Sequence, residues 1–345
     1  MNATKKTRET GKIKAGGLEL DNELWLAPLA GITTAPVRAF YSSLGAGLTH
    51  TEMISCMGLL RDNRKTEKML LLLPEEALPE ESGGSNSTNV VLQLFSGDSD
   101  TMAKGAEAAL TAGARMGLLR FAALGINMAC PMPKVTKRGA GAALMETPAV
   151  ASEMTRGLKR LGLPVWVKTR VSGDMDRTLR FVELLVESGA DNVCIHGRTP
   201  PQRYEGRADR KQTAEAARRF PGKISASGDV YMVEDVKEYL EMGCVGVMLA
   251  RGALANPYLF LQALSALGLN ISESDSNPAK AIRLSQLCFL GGRIREIFGA
   301  GHAVVLLKRL LGGTLKGAPG SAELRRRVGA VTDLDELMRL LSCGI

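Results

Sequence analysis

A chain of 345 residues, 45% hydrophobic and 23% charged, is long enough to bury one large core and a small second one, which suggests one enzyme-sized domain with an appendage. Its six cysteines are scattered, with no Cys-x-x-Cys pair and no zinc-ligand spacing, which excludes a disulfide framework and favours a reduced cytosol. The net charge of +8 is compatible with a polyanionic partner but does not require one.

Residues 1–17 form a basic, polar tail with no apolar signal core, and Lys5, Lys6, Arg8, Lys12 and Lys14 read as a flexible auxiliary arm. The longest apolar cluster, 69–73, is far too short to span a bilayer, so a soluble, cytoplasmic protein is expected, without membrane attachment. Short apolar runs then recur at 24–29, 47–53, 90–95, 124–129, 164–169, 192–196, 223–226 and 245–250, each leading into a turn and a stretch of helical periodicity. Eight βα units predict a TIM (β/α)8 barrel over 18–260, because a doubly wound sheet normally stops at about five to seven strands. Segment 74–89 contains Glu80-Glu81-Ser82-Gly83-Gly84-Ser85-Asn86-Ser87 and reads as an exposed insertion. After Asn256-Pro257 the strand signal vanishes, and 261–345 is expected to be a small all-helical domain.

Active sites of such barrels lie at the C-terminal ends of the strands, and here these ends turn polar one after another. The first ends in Ala27-Pro28-Leu29-Ala30-Gly31, the third carries Gln93, the fourth ends in Asn127-Met128-Ala129-Cys130-Pro131 and the fifth in Lys168-Thr169-Arg170. His196-Gly197-Arg198, Ser227-Gly228-Asp229 and Ala250-Arg251-Gly252 close the sixth, seventh and eighth. Small residues after the last two strands free backbone N–H groups for a phosphate, and Arg251 can add a charged fork. Lys168 is placed to point into the mouth, where a cation stabilises negative charge on a bound group. The Gln93 amide both donates and accepts, which suits either a ligand edge or bonding within the rim. His196 follows its apolar strand directly and reads as a ligand-binding group, whereas His50 and His302 have no such setting. Cys130 carries the sharpest expectation: a free thiol, with pKa about 8.5, is mostly protonated at neutral pH and can donate that proton. Pro131 and Pro133 follow it and stiffen its loop. The other five cysteines read as small buried apolar groups. No residue group has the pattern of a metal site.

These segments resemble the tRNA-dihydrouridine synthase family from about Leu24 to the C-terminus. The similarity is carried by Leu26 to Gly31, Asn127 to Lys134, Arg138-Gly139-Ala140-Gly141, and His196-Gly197-Arg198-Thr199 with Gln202-Arg203-Tyr204 and Gly206. Leu315-Lys316-Gly317 and Pro319 to Val328 look like the family's helical RNA-binding domain, closest to its bacterial B-type members. The resemblance implies that NADPH reduces a bound FMN, that flavin N5 passes hydride to C6 of a uracil in tRNA, and that Cys130 protonates C5. It assigns flavin contacts to Pro28, Leu29, Ala30, Gln93, Lys168, His196, Ser227, Gly228, Asp229, Ala250 and Arg251. Asn127 is then expected beside flavin and base, with Arg198, Gln202 and Tyr204 as gatekeepers for an extruded uridine.

The chain departs from the family's usual residues at Leu29, Ala129, Ser227 and Ala250, where Met, Gly, Asn and Gly are common. Gly313-Thr314 stands where B-type relatives carry an aromatic pair, so base stacking is not expected there. From Leu261 to Ile345, eleven Lys and Arg stand against seven Asp and Glu, and Lys308, Arg309, Arg325, Arg326 and Arg327 are the expected phosphate contacts. Two other readings use the same residues: an FMN barrel acting on a free pyrimidine, or a tRNA-binding barrel without catalysis. No protein partner is implied.

Overall fold

The structure, a computed structural model, describes residues 12–77, 88–116, 120–269, 271, 273–276, 280–314 and 321–342. It opens with an antiparallel hairpin of β1 (Ile13–Ala15) and β2 (Leu18–Leu20). Gly16 and Gly17 turn it with φ of +56° and +80°, the left-handed pair that a two-residue hairpin loop needs. Nine parallel strands follow: β3 (Leu24–Leu26), β4 (Thr49–His50), β5 (Ile54–Ser55), β6 (Val90–Phe95), β7 (Ala123–Met128), β8 (Val165–Arg170), β9 (Asn192–His196), β10 (Ile224–Ser227) and β11 (Val247–Leu249). Their order is β3-β11-β10-β9-β8-β7-β6-β4, with β5 also beside β6. A parallel bridge between Trp25 and Leu48 shuts the ring, with the Leu26 N–H donating to the Leu48 carbonyl at 2.8 Å. The second barrel position is shared by β4 and β5, and the chain is the (β/α)8 barrel the sequence predicts.

Helices Ser99–Met116, Pro148–Lys159, Met175–Glu187, Arg210–Arg219 and Val233–Glu241 cover the outside. Side-chain caps start three of them: Asp98 accepts from the Thr101 N–H at 2.7 Å, Asp174 from the Arg177 N–H at 2.6 Å and Asp209 from the Lys211 N–H at 2.9 Å. Inside, Trp25 and Trp166 fill the floor with ring centroids 4.8 Å apart. The hairpin stoppers this floor from below, where Trp166 Nε1 donates to the Gly16 carbonyl at 2.8 Å. A Cβ on Gly16 would lie 2.6 Å from the indole, so glycine serves both turn and close approach. Residues 13–17 are thus part of the barrel and not of a tail, and the alternation Ile13-Lys14-Ala15 and Leu18-Glu19-Leu20 about two glycines is the cue for them. Residues 1–11 lie outside the described residues.

The start of segment 74–89 also differs from an exposed insertion. Pro74–Glu76 is a 3-10 turn, and its Glu76 carboxylate is buried against Arg38, with Nε at 2.7 Å and Nη2 at 3.0 Å. The Gly/Ser stretch, 78–87, lies outside the described residues. At the other end Leu259–Ala266 packs on the barrel, with Phe260 5.7 Å from Tyr41, so the boundary expected at 261 falls within this helix. Beyond it Lys280–Phe298, Ala300–Thr314, Ser321–Ala330 and Leu334–Ser342 pack around Leu287, Ile294, Leu306, Leu310 and Leu337, continuous with the barrel's outer core. Leu315-Lys316-Gly317 lies outside the described residues. Among the described residues, no helix is long and apolar enough to cross a membrane.

Candidate active site

Strand periodicity builds the site. On β8 the inward residues are Trp166, Lys168 and Arg170, rising from the floor to the rim. Parallel register sets Asn127 and Cys194 level with Lys168, and His196 level with Arg170 and Ser227. Gly125, two residues below Asn127, keeps the lumen open at that level, since a Cβ there would stand 3.0 Å from Val91. A second core made of Trp25, Val91, Ala123, Trp166, Cys194 and Met248 fills the lumen below and beside this polar layer.

Asn127 is 3% exposed, and its amide is used in full. Its Nδ2 donates to Gln93 Oε1 at 2.9 Å and lies 2.9 Å from Met53 Sδ, while its Oδ1 accepts from the backbone N–H groups of Ala129 at 3.2 Å and Cys130 at 2.9 Å. One side chain therefore ties Gln93 on the third barrel strand to the Cys130 loop after the fourth. The loop is pinned again where the Ala142 N–H donates to the Cys130 carbonyl at 3.0 Å. Gly141 (φ +63°) allows this contact, because a Cβ there would lie 2.6 Å from that oxygen. The Cys130 thiol itself is half-buried and bonds to no described residue.

Lys168 makes no hydrogen bond or ion pair among the described residues, so it is not the rim ion pair that its residue type alone suggests. Burial holds its ammonium below the ordinary lysine range, with the Cys194 thiol acting against that. His196 is half-buried, and desolvation together with Lys168, Arg170, Arg198 and Arg251 pushes its imidazolium down to about 2, so the ring is neutral at physiological pH. Its Nδ1 accepts from the Arg198 N–H at 3.2 Å. Gly228 (φ +112°) crosses close above it, where a Cβ would sit 3.3 Å from the imidazole.

Arginines organise the loops after β9 to β11. Arg170, 3% exposed, donates from Nε to the Ala129 carbonyl at 2.7 Å and from Nη1 to the carbonyls of Arg198, Thr199 and Arg203. Arg198 is equally buried; it pairs with Asp229 at 2.7 Å and donates to the Glu205 and Gly206 carbonyls, while its Nη1 is buried without a partner. Asp229 adopts φ +52° and also accepts from the Ala208 N–H at 2.8 Å and from Arg251 at 3.3 Å. Gln202 accepts from Thr199, closing its own turn. Of the three expected gatekeepers, Arg198 and Gln202 therefore hold the loop from within, and Tyr204 alone is open, at 55% exposure, with the Arg251 guanidinium 5.5 Å from its ring.

The first βα loop carries Pro28, Leu29 and Ala30. The Leu29 N–H donates to Thr33 Oγ1 at 3.1 Å, and Ala30 stands exposed at the tip. The four departures fall around the mouth: Leu29 on this loop, Ala129 under Arg170, Ser227 at the end of β10, and Ala250 leading into the short helix Arg251–Ala255. Of the expected phosphate contacts, Arg309 reaches back to the mouth and donates from Nη1 to the Gly31 carbonyl at 2.8 Å. Lys308 donates to the Gly329 carbonyl at 2.9 Å, and exposed Arg326 pairs with Glu323. Arg325 also has a partner, and Arg327 lies by Glu336 and Arg339. Arg170 and Glu52 stand in the site without a sequence assignment. For Arg170 a cue existed, since it is two residues beyond Lys168 on the inward face; Glu52 lies between two-residue strands with no periodicity to read.

The sequence matches the family described as Dihydrouridine synthase (Dus) over residues 25–343. It is 28% identical over 330 residues to tRNA-dihydrouridine synthase B of Pasteurella multocida, covering 94% of this chain and 93% of the relative. A probable tRNA-dihydrouridine synthase of Treponema pallidum is 30% identical over 269 residues, 74% of each chain. One from Aquifex aeolicus is 27% identical over 322 residues, covering 92% of this chain and 94% of the relative. The similarity thus spans both the barrel that carries the polar mouth and the helices that follow it, and the chain belongs to the dihydrouridine synthase family.

Proposed function

We propose that this protein reduces a uridine in tRNA to 5,6-dihydrouridine, with FMN as bound cofactor, NADPH as reductant and Cys130 as proton donor. The observation that carries the reading is the Asn127 clamp, which ties the Cys130 thiol loop and the Gln93 amide to one another on neighbouring strands at the barrel mouth.

The residues present fit a flavin. Lys168 offers a cation with no acceptor among the described residues, Arg198 Nη1 is buried and unpartnered near the turn after β10, and Gly228 leaves open the space a side chain would take against His196. On this reading Gln93, Lys168 and His196 hold the ring system beside Pro28, Leu29 and Ala30, while Ser227, Gly228, Asp229, Ala250 and Arg251 line the phosphate end. A bound flavin, once reduced by NADPH, supplies hydride for C6 of the uracil. Cys130 holds a proton at Sγ and delivers it to C5, Asn127 keeps that thiol in register with the base, and Lys168 stabilises negative charge at the ring. The base must leave its stack to reach the thiol, at a cost on the order of a few kcal/mol, and exposed Tyr204 meets it at the rim. Lys308, Arg325, Arg326 and Arg327 act on the RNA backbone.

Incubation of the purified protein with NADPH and unmodified tRNA, followed by nucleoside analysis, tests the reading: dihydrouridine is expected. A yellow protein that leaves tRNA unchanged and reduces free uracil or orotate would replace it with the free-pyrimidine reading.

A further inference from the structure

We propose that Glu52 and Arg309 are positioning residues for the first βα loop, holding the backbone N–H and carbonyl of Gly31 from opposite sides with opposite charges, so that the C-terminal helices complete the cofactor site. The inference rests on the flavin reading above.

Gly31 adopts φ +70°. Its N–H points to Glu52 Oε1, and its carbonyl accepts from Arg309 Nη1 at 2.8 Å. A carboxylate and a guanidinium thus hold the two successive peptide groups that meet at the Gly31 Cα, each through a charge-assisted bond. Glu52 is 8% exposed, and burial pushes its carboxyl up, against the pull of the Gly31 N–H, Arg38 and Arg309. A side chain at position 31 would press on this contact, as a Cβ would lie 3.0 Å from Arg309 Nη1.

The base of the loop has its own supports within the barrel. Thr33 accepts from Leu29, and Arg38 donates from Nη1 to the Thr33 carbonyl at 3.1 Å while its other nitrogens are held by Glu76 and the Leu71 carbonyl. At the tip, Glu52 holds the Gly31 N–H from within the barrel, while the Gly31 carbonyl is fixed from outside it, by a residue 278 positions further along the chain. Arg309 therefore acts on the backbone of the loop that carries Pro28, Leu29 and Ala30, where the sequence alone suggests a phosphate contact.

FMN titration of the full chain, followed by quenching of flavin fluorescence, is compared with KM for unmodified tRNA. Arg309→Ala should weaken FMN binding roughly tenfold, as expected for loss of one charge-assisted hydrogen bond, with KM for tRNA changed less than about twofold. Glu52→Gln keeps an acceptor and loses the charge, so about threefold is expected, and Arg309→Lys should restore part of the affinity. Unchanged FMN affinity in Arg309→Ala with a raised KM for tRNA would overturn the proposal and assign Arg309 to the RNA. A wild-type protein that binds no FMN would instead overturn the flavin reading on which it rests.

Discussion

Arg170 at the barrel mouth and Arg326 on the C-terminal helices carry the same charge in opposite settings. Arg170 is 3% exposed and serves four backbone carbonyls, from Ala129 to Arg203, whereas the Arg326 side chain is 79% exposed and pairs with Glu323 one turn away. At the mouth a cation determines where loops run, and its removal strands buried acceptors. On the helices a cation contributes little beyond its charge, since exposed pairs are worth about 0–1 kcal/mol. The difference separates two kinds of basic residue in one chain: those that shape a pocket and those free to meet a polyanion.

Substitutions can break this division, and the largest effect belongs to the chemical group that the mouth presents. Cys130→Ala should slow uridine reduction at least about a hundredfold while flavin stays bound and reducible, within the range of general-acid contributions; unchanged turnover removes the thiol from the mechanism. Arg170→Ala should cost on the order of 2–3 kcal/mol of stability, read as a shift in urea midpoint. A loss under about 0.5 kcal/mol would show that the loop carbonyls find other partners.

Lys168→Ala should weaken FMN at least about tenfold, because no other described cation faces the middle layer of the lumen. A fully yellow, fully active variant would contradict that placement. Acid should act through the barrel interior. His50 is 1% exposed, its Nδ1 lies 2.8 Å from the Leu26 carbonyl, and burial pushes its imidazolium down to about 4. Between about 6.5 and about 4 the unfolded chain takes up a proton that the folded ring refuses, so stability should fall with pH across that window by about 1.4 kcal/mol per unit from this residue. His196 acts in the same direction. A stability curve flat from pH 7 to 5 would contradict a neutral, enclosed His50. The smallest effect is expected at Arg326→Ala: stability within about 0.5 kcal/mol, with the slope of log K against log salt for tRNA reduced by about one. A large stability loss there would erase the contrast with Arg170.

Much of this architecture is legible from local chemistry. The third and sixth runs, 90–95 and 192–196, coincide with β6 and β9 because both are mostly apolar and lead directly into a polar turn. The second run, 47–53, holds only the two-residue β4, and β5 follows just beyond it at Ile54–Ser55, so this barrel position is split. The hairpin at 13–20 escapes a search for long apolar runs because its strands are three residues each. Within the site, residue type and strand position point to Cys130, Lys168 and His196. The Asn127 clamp, the burial of Arg198 and the reach of Arg309 to Gly31 depend on which loops meet in space, and no periodicity encodes that.

The central claim is tested most directly by mixing the NADPH-reduced protein, freed of excess NADPH, with unmodified tRNA and following recovery of the flavin's visible absorbance together with dihydrouridine formed. The account requires absorbance to return as one dihydrouridine appears per flavin oxidised, and free uracil to be far slower. A flavin that stays reduced in the presence of tRNA, or is reoxidised equally well by free pyrimidine, would contradict it.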